Sequence, residues 1–254
     1  MKARSRSSSI PKKRSSQRRR RRAAEPWTTD GVLRELRALG ERRNIEGMAR
    51  FGIRARNVYG VAKPKMDKLA RRIGRSHALA LDLWDSGVHD ARILAGMIDE
   101  APKVSATQME EWVRHFDNWD VCDGTCCHLF VFCEPAWEKA IAWSRREEEF
   151  IKRAGFALMA YLAYRDKAAA DAKYRKLLPI IERESDDERN FVRKAVNWAL
   201  RQIGKRNVPL NRAAIRTAQH IRRRSSRAAR WIAADALREL NSAAVQRRLR
   251  RKRA

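Results

Sequence analysis

From Pro26 to about Ser242 apolar residues recur three and four positions apart, the spacing that gathers them on one face of an α-helix. The pattern predicts helices over about 28–48, 63–74, 76–86, 89–100, 106–116, 118–133, 135–145, 148–164, 168–184, 188–205, 209–223 and 225–240. No segment alternates apolar and polar residues for long enough to make a half-buried strand. The breaks are short and rest on residues that end helices: Gly87, Pro102, Pro135, Asp166, Ser185 with Asp186, and Pro209. Short connections make consecutive helices antiparallel neighbours.

A degenerate repeat runs through these helices. Phe150-Ile151-Lys152-Arg153-Ala154 is echoed forty-one positions later by Phe191-Val192-Arg193-Lys194-Ala195. Weaker echoes are Ala91-Arg92-Ile93-Leu94-Ala95 and Arg227-Ala228-Ala229-Arg230-Trp231. A period near 40 built from two helices is the signature of HEAT-like arrays, in which each hairpin buries its apolar face only by stacking on its neighbours. The predicted fold is therefore all-α: helical hairpins stacked into a curved solenoid, with an irregular helical bundle as the alternative. Both strong echoes sit on the second helix of a hairpin, which in such arrays lines the concave face, and they carry basic residues there.

Composition sharpens this picture. Only 11 glycines and 7 prolines punctuate 254 residues, as a helical chain requires. The net charge is +28, and it is uneven. Residues 1–22 hold eleven Lys/Arg and no acid, and residues 247–253 hold six more, which leaves about +11 on the body between them. Three regions result: a disordered basic Ser/Arg/Lys arm over 1–24, a helical domain over 25–242 and a basic tail over 243–254. So positive a chain attracts polyanions, and a curved basic inner face suits the backbone of double-stranded DNA. The N-terminus lacks an apolar signal segment, and no run approaches the ~18 apolar residues that span a bilayer. The expectation is a monomer without a membrane partner, intracellular (cytoplasmic, at the nucleoid), with reduced thiols.

Two constellations carry candidate chemistry. In the helix expected to open at an Asp187 N-cap, Lys194, Trp198, Arg201 and Lys205 share one stripe. A tryptophan among cations suits a sugar or base flanked by phosphates, and a Trp wedged between hairpins is the equal alternative. In Asp117-Asn118-Trp119-Asp120-Val121-Cys122-Asp123, Asp117 or Asn118 makes an N-cap and Asp120 complements the helix dipole. Asp123 lies one turn beyond Trp119 on the same face, past the region where capping explains an acid. A carboxylate facing a DNA backbone is repelled unless positive charge develops beside it; the alternative is an ion pair with a neighbouring arginine. With Arg153, these residues come from three successive inner helices and form an anionic group between two aromatic planes in a basic groove.

The runs DNWDVCD, WSRREEEFIKRAGFALMAYLA and DERNFVRKAVNWALRQIGKRN resemble the bacterial AlkD-type DNA alkylation repair glycosylases, over about Gly47 to Ile221. The family's W-x-x-x-D unit matches Trp119 and Asp123, its inner-helix arginine matches Arg153, and its K-A-x-x-W-x-L-R tryptophan matches Trp198. The resemblance implies a HEAT-like fold that hydrolyses the N-glycosidic bond of cationic alkylpurines in duplex DNA without flipping the base. It implies that Asp123 stabilises the cationic sugar and positions water, that Trp119 and Trp198 pack on backbone sugars, and that Arg153 holds a phosphate. Lys194, Arg201 and Lys205 extend the DNA-binding set. The arm and tail lie outside the resemblance, and some relatives with this fold lack the catalytic residues and bind DNA without excising bases.

No cofactor or metal is expected. Cys122, Cys126, Cys127 and Cys133 lack C-x-x-C pairing, and the five histidines form no H-x-x-x-H unit. Trp27, Trp84, Trp112, Trp137, Trp143 and Trp231 read as core or hairpin packing.

Overall fold

A computed structural model describes residues 27–251; the predicted basic arm lies outside the described residues. Among the described residues fourteen α-helices succeed one another: α1 (Thr29–Leu39), α2 (Arg42–Arg50), α3 (Lys63–Ile73), α4 (His77–Asp85), α5 (His89–Ile98), α6 (Ala106–Arg114), α7 (Trp119–His128), α8 (Ala136–Trp143), α9 (Glu149–Arg165), α10 (Asp171–Arg183), α11 (Asn190–Gly204), α12 (Val208–Arg222), α13 (Arg227–Leu240) and α14 (Ala243–Arg251). The described residues contain no strand beyond one isolated bridge, Gly40 to Val61.

From α4 onward the helices pair into hairpins. The second members, α5, α7, α9, α11 and α13, pack on one another in that order, and α4, α6, α8, α10 and α12 back them. This is the solenoid that the forty-residue period predicts, and each echoed segment falls on an inner helix. α9 holds the array together, because Ile151 through Ala160 are all buried. Gly155 lets α8 approach: a Cβ there would stand 2.9 Å from the Trp143 carbonyl carbon and 3.0 Å from the Ala140 oxygen. Trp84 and Trp112 stack at 3.9 Å and nearly parallel, and Trp143 is buried beside Phe130.

Several boundaries differ from the sequence pattern. The helix expected over 28–48 is two helices, because Gly40 packs directly against the Tyr59 backbone and any side chain there would collide with it. The helix over 118–133 ends at His128 and gives way to a 3₁₀ turn, Phe130–Phe132. Asp187 does not cap α11: Arg189 holds that position without a side-chain bond, and Asp187 instead accepts from the Arg189 N–H and guanidinium. Past residue 242 the chain forms α14, which buries Val245 and Leu249 on the array and sends Arg248 to the Lys205 carbonyl. Trp231 is no core residue; it is 39% exposed on α13, with the Arg193 guanidinium 5.3 Å from its ring.

α1–α3 cover the start of the array. Their connection is held by Asp90, buried at the start of α5, whose carboxylate accepts the N–H groups of Tyr59 (2.6 Å), Gly60 (3.3 Å) and Val61 (2.8 Å). Gly60 has φ +75° and sits against the Glu41 carbonyl, so the turn needs a residue without a Cβ.

Candidate nucleic-acid interface

Asn118 starts α7. Its side-chain oxygen accepts from the N–H groups of Asp120 (3.0 Å) and Val121 (3.1 Å), so Asn118, not Asp117, is the N-cap. That cap fixes the register of everything after it. Trp119 and Asp123 lie one turn apart, Trp119 reaching the loop after α2 and Asp123 reaching α9. Cys122 and Cys126 turn toward the backbone of α9, with their thiols 3.6 and 3.8 Å from the carbonyls of Phe150 and Ala154. Their thiols are packing groups at the α7–α9 seam.

Asp123 meets Arg153 in a two-pronged ion pair: Nε donates to Oδ1 at 2.9 Å and Nη2 to Oδ2 at 2.7 Å. The third arm of the guanidinium, Nη1, donates to the Phe191 carbonyl at 2.7 Å. Arg153 thereby links α7, α9 and the start of α11. Its side chain is 8% exposed and that of Asp123 is 18% exposed, so the carboxylate is the more accessible of the two partners. Burial raises the Asp123 pKa above its ordinary range, and the charge and hydrogen bonds of Arg153 act against that rise. The arginine has the converse balance: burial disfavours its charge, and Asp123 more than restores it.

Tyr161, two turns beyond Arg153 on α9, is the residue that sequence reasoning missed. Its ring meets the edge of Trp198 at 4.8 Å with planes 83° apart. Its phenol is driven up in pKa by burial, with Cys127 and Asp123 reinforcing the shift. Tyr161 therefore joins α9 to the α11 indole. The signal available in the sequence was a phenol two turns from Arg153 on the same helix. Phe150 and Phe191, the matching first residues of the two strong echoes, pack ring to ring at 5.5 Å.

Trp119 is half-buried and donates its Nε1–H to the Phe51 carbonyl at 2.9 Å. The loop after α2 thus reaches the inner face, and Gly52, with φ +79°, lies so close to Phe191 that a Cβ would come within 2.8 Å of its ring. Phe51 itself is 69% exposed.

The cationic stripe on α11 divides. Lys194 is exposed and makes no ion pair among the described residues. Arg201 pairs with Glu239 and, at 3.4 Å, Asp235, and Lys205 pairs with Glu239 at 2.6 Å. Both α13 acids thus compensate that end of the stripe. Exposed Arg230 and Trp231 on α13 continue the open end next to Arg193. Among the described residues no group of three or more His, Cys, Asp or Glu side chains is arranged to hold a metal, and no helix is long and apolar enough to cross a membrane.

Stacked hairpins whose inner helices carry cations, indoles and carboxylates define a HEAT-like array. The chain belongs to the DNA alkylation repair enzyme family, whose model matches residues 32–240. Among solved structures it is similar to a protein described as one of a new family related to the HEAT-like repeat DNA glycosylases, with affinity for branched DNA structures. That likeness has a TM-score of 0.69 at 23% identity and covers 84% of this chain and 95% of the other. No curated protein matches the chain in sequence.

Proposed function

We propose that the protein hydrolyses the N-glycosidic bond of cationic alkylated purines, of the 3-methyladenine and 7-methylguanine type, in duplex DNA. The observation that carries this reading is Asp123: a carboxylate among cations on the inner face, gripped on both oxygens by Arg153 yet still open to the groove.

A purine alkylated at N3 or N7 already bears positive charge. When the bond from C1′ to the base breaks, its electron pair leaves with the base and neutralises it, and the sugar becomes an oxocarbenium-like cation. A fixed carboxylate stabilises that cation. A carboxylate has about four acceptor sites. Arg153 takes two, and the remainder orient a water whose oxygen adds to C1′ while its proton passes to Asp123. Arg153 in this reading acts through Asp123, fixing its position and supporting its ionised form, while exposed Lys194 and Arg230 meet phosphates. Arg201 and Lys205 reach phosphates only by releasing Glu239. Trp119 and Trp198 pack against the sugars on either side. An open groove of this kind holds the lesion inside the duplex, without flipping.

The test is release of 7-methylguanine from methylated duplex DNA. Wild type releases it, and Asp123→Asn lowers the rate by about 100-fold or more while keeping DNA affinity. Wild type that binds DNA and frees no modified base would overturn the reading. A second reading, a non-catalytic module for bent or branched DNA, is favoured by the description of the structural relative. It predicts tighter binding to a four-way junction than to a duplex, and no excision from either.

A further inference from the structure

α7 has a second working face. Trp119 and Asp123 look into the groove, whereas Asp120, Gly124 and His128 line a cavity of about 190 Å³ between α2, α3, α5 and α7. Met48, Val61, Met66 and Ile93 supply apolar walls. Gly124 directly follows Asp123 in the chain, so the wall of this cavity shares a helix turn with the proposed reacting residue.

Three observations mark the cavity as built for a ligand. Gly124 stands inside a helix, where glycine costs about 1 kcal/mol relative to alanine, and a Cβ there would meet nothing within 4 Å. No packing explains the missing side chain; its effect is to leave the cavity open. Next, Asp120 is held in place. Asn118 Nδ2 donates to His89 Nδ1 (3.4 Å), which leaves His89 Nε2–H to donate to Asp120 Oδ2 (3.3 Å). The second Asp120 oxygen has no hydrogen-bond partner among the described residues. Finally, the half-buried His128 ring makes no hydrogen bond among the described residues, and burial, with the charge of Lys63, lowers its pKa.

A flat aromatic heterocycle satisfies all of these. A cavity of ~150 Å³ accommodates a benzene-sized ring, and methionine sulfurs favour aromatic neighbours. A purine edge with ring N–H and amino donors pairs with a carboxylate, and its ring acceptors suit a histidine N–H. We propose that this cavity binds a free purine base, the product released at Asp123, before it leaves the protein. The proposal rests on the glycosylase reading for the source of the base, while the pocket's affinity is measurable without any catalysis.

The experiment titrates full-length protein with free 7-methylguanine, followed by calorimetry and saturation-transfer NMR, with cytosine as control. Wild type and Asp123→Asn bind 7-methylguanine saturably and at least tenfold more tightly than cytosine. Gly124→Leu, which fills the cavity, loses at least tenfold in affinity while its circular dichroism and thermal midpoint show a folded chain; Asp120→Asn, which keeps the shape, gives an independent loss. Absence of saturable binding to wild type, or equal binding by wild type and Gly124→Leu, overturns the proposal. A duplex carrying 2-aminopurine distinguishes the source: its fluorescence stays low on binding. A rise abolished by Gly124→Leu would put a base still attached to DNA in the cavity and overturn the assignment to released product. Failure of excision with free-base binding intact sinks the glycosylase reading alone.

Discussion

At the scale of single residues, Asp123 is governed by two opposed effects. Burial favours its neutral form and Arg153 favours its charge, with burial the stronger. The proposed reaction needs the ionised form. Excision therefore falls as pH drops through the raised Asp123 pKa, an acid limb above the ordinary carboxylate range. Arg153→Met removes the opposing charge, so that limb moves to still higher pH; Arg153→Lys, which restores a cation without the fork, moves it part of the way back. A pH–rate profile unchanged by Arg153→Met would rule out a role through Asp123. Spacing alone put Trp119 and Asp123 on one helical face, because a capped helix fixes register. It did not pair Asp123 with Arg153 in preference to the many other arginines, since that choice depends on how α7 seats against α9. Tyr161 escaped for the same reason: its phenol becomes informative only once the inner helices are side by side and its ring meets Trp198.

At the scale of helices, the echoed segments combine packing with charge. Lys152, beside Arg153, has a side chain only 7% exposed, paired with Glu184 at 2.8 Å and Asp187 at 3.4 Å. Burial raises both acids, but bonds from Lys152 and Arg183 to Glu184, and from Arg189 and Lys152 to Asp187, lower them overall. Their contribution to stability is thus full above the usual carboxylate range and is lost as pH falls through the depressed values. Lys152→Met leaves two mostly buried acids with fewer partners. It should cost about 3 kcal/mol at pH 7, and less at pH 3, in urea melts. An equal cost at both pH values would show that the pair is not what stabilises this junction. The helical period and the forty-residue repeat were plain in the sequence because apolar spacing encodes them directly. The ends of helices were less so. Gly40 breaks a helix through a tertiary contact that no local signal encodes.

At the scale of the whole molecule, charge decides affinity. Binding to duplex DNA should weaken steeply with salt, and deleting residues 1–22, with their eleven cations, should flatten the plot of log K against log salt. Glu239→Gln has the opposite effect. It frees Lys205, while Arg201 keeps Asp235 at 3.4 Å, so affinity rises and the slope steepens by about one unit. If Glu239→Gln leaves the slope unchanged, Lys205 does not reach a phosphate. Net charge was visible from the start. Which cations are free was not, because the acids that neutralise them come from α13, more than thirty residues along the chain.

The loop after α2 also has a mechanical meaning. Phe51 is tied to α7 through the Trp119 indole, and Gly52 presses on Phe191 at the start of α11. An array of hairpins linked only through nearest neighbours behaves as a spring, free to open or tighten along its length. This loop joins two coils of that spring, α7 and α11, as a bowstring joins the ends of a bow. It limits how far those helices can separate, and a bulkier residue at position 52 would have to displace the Phe191 ring.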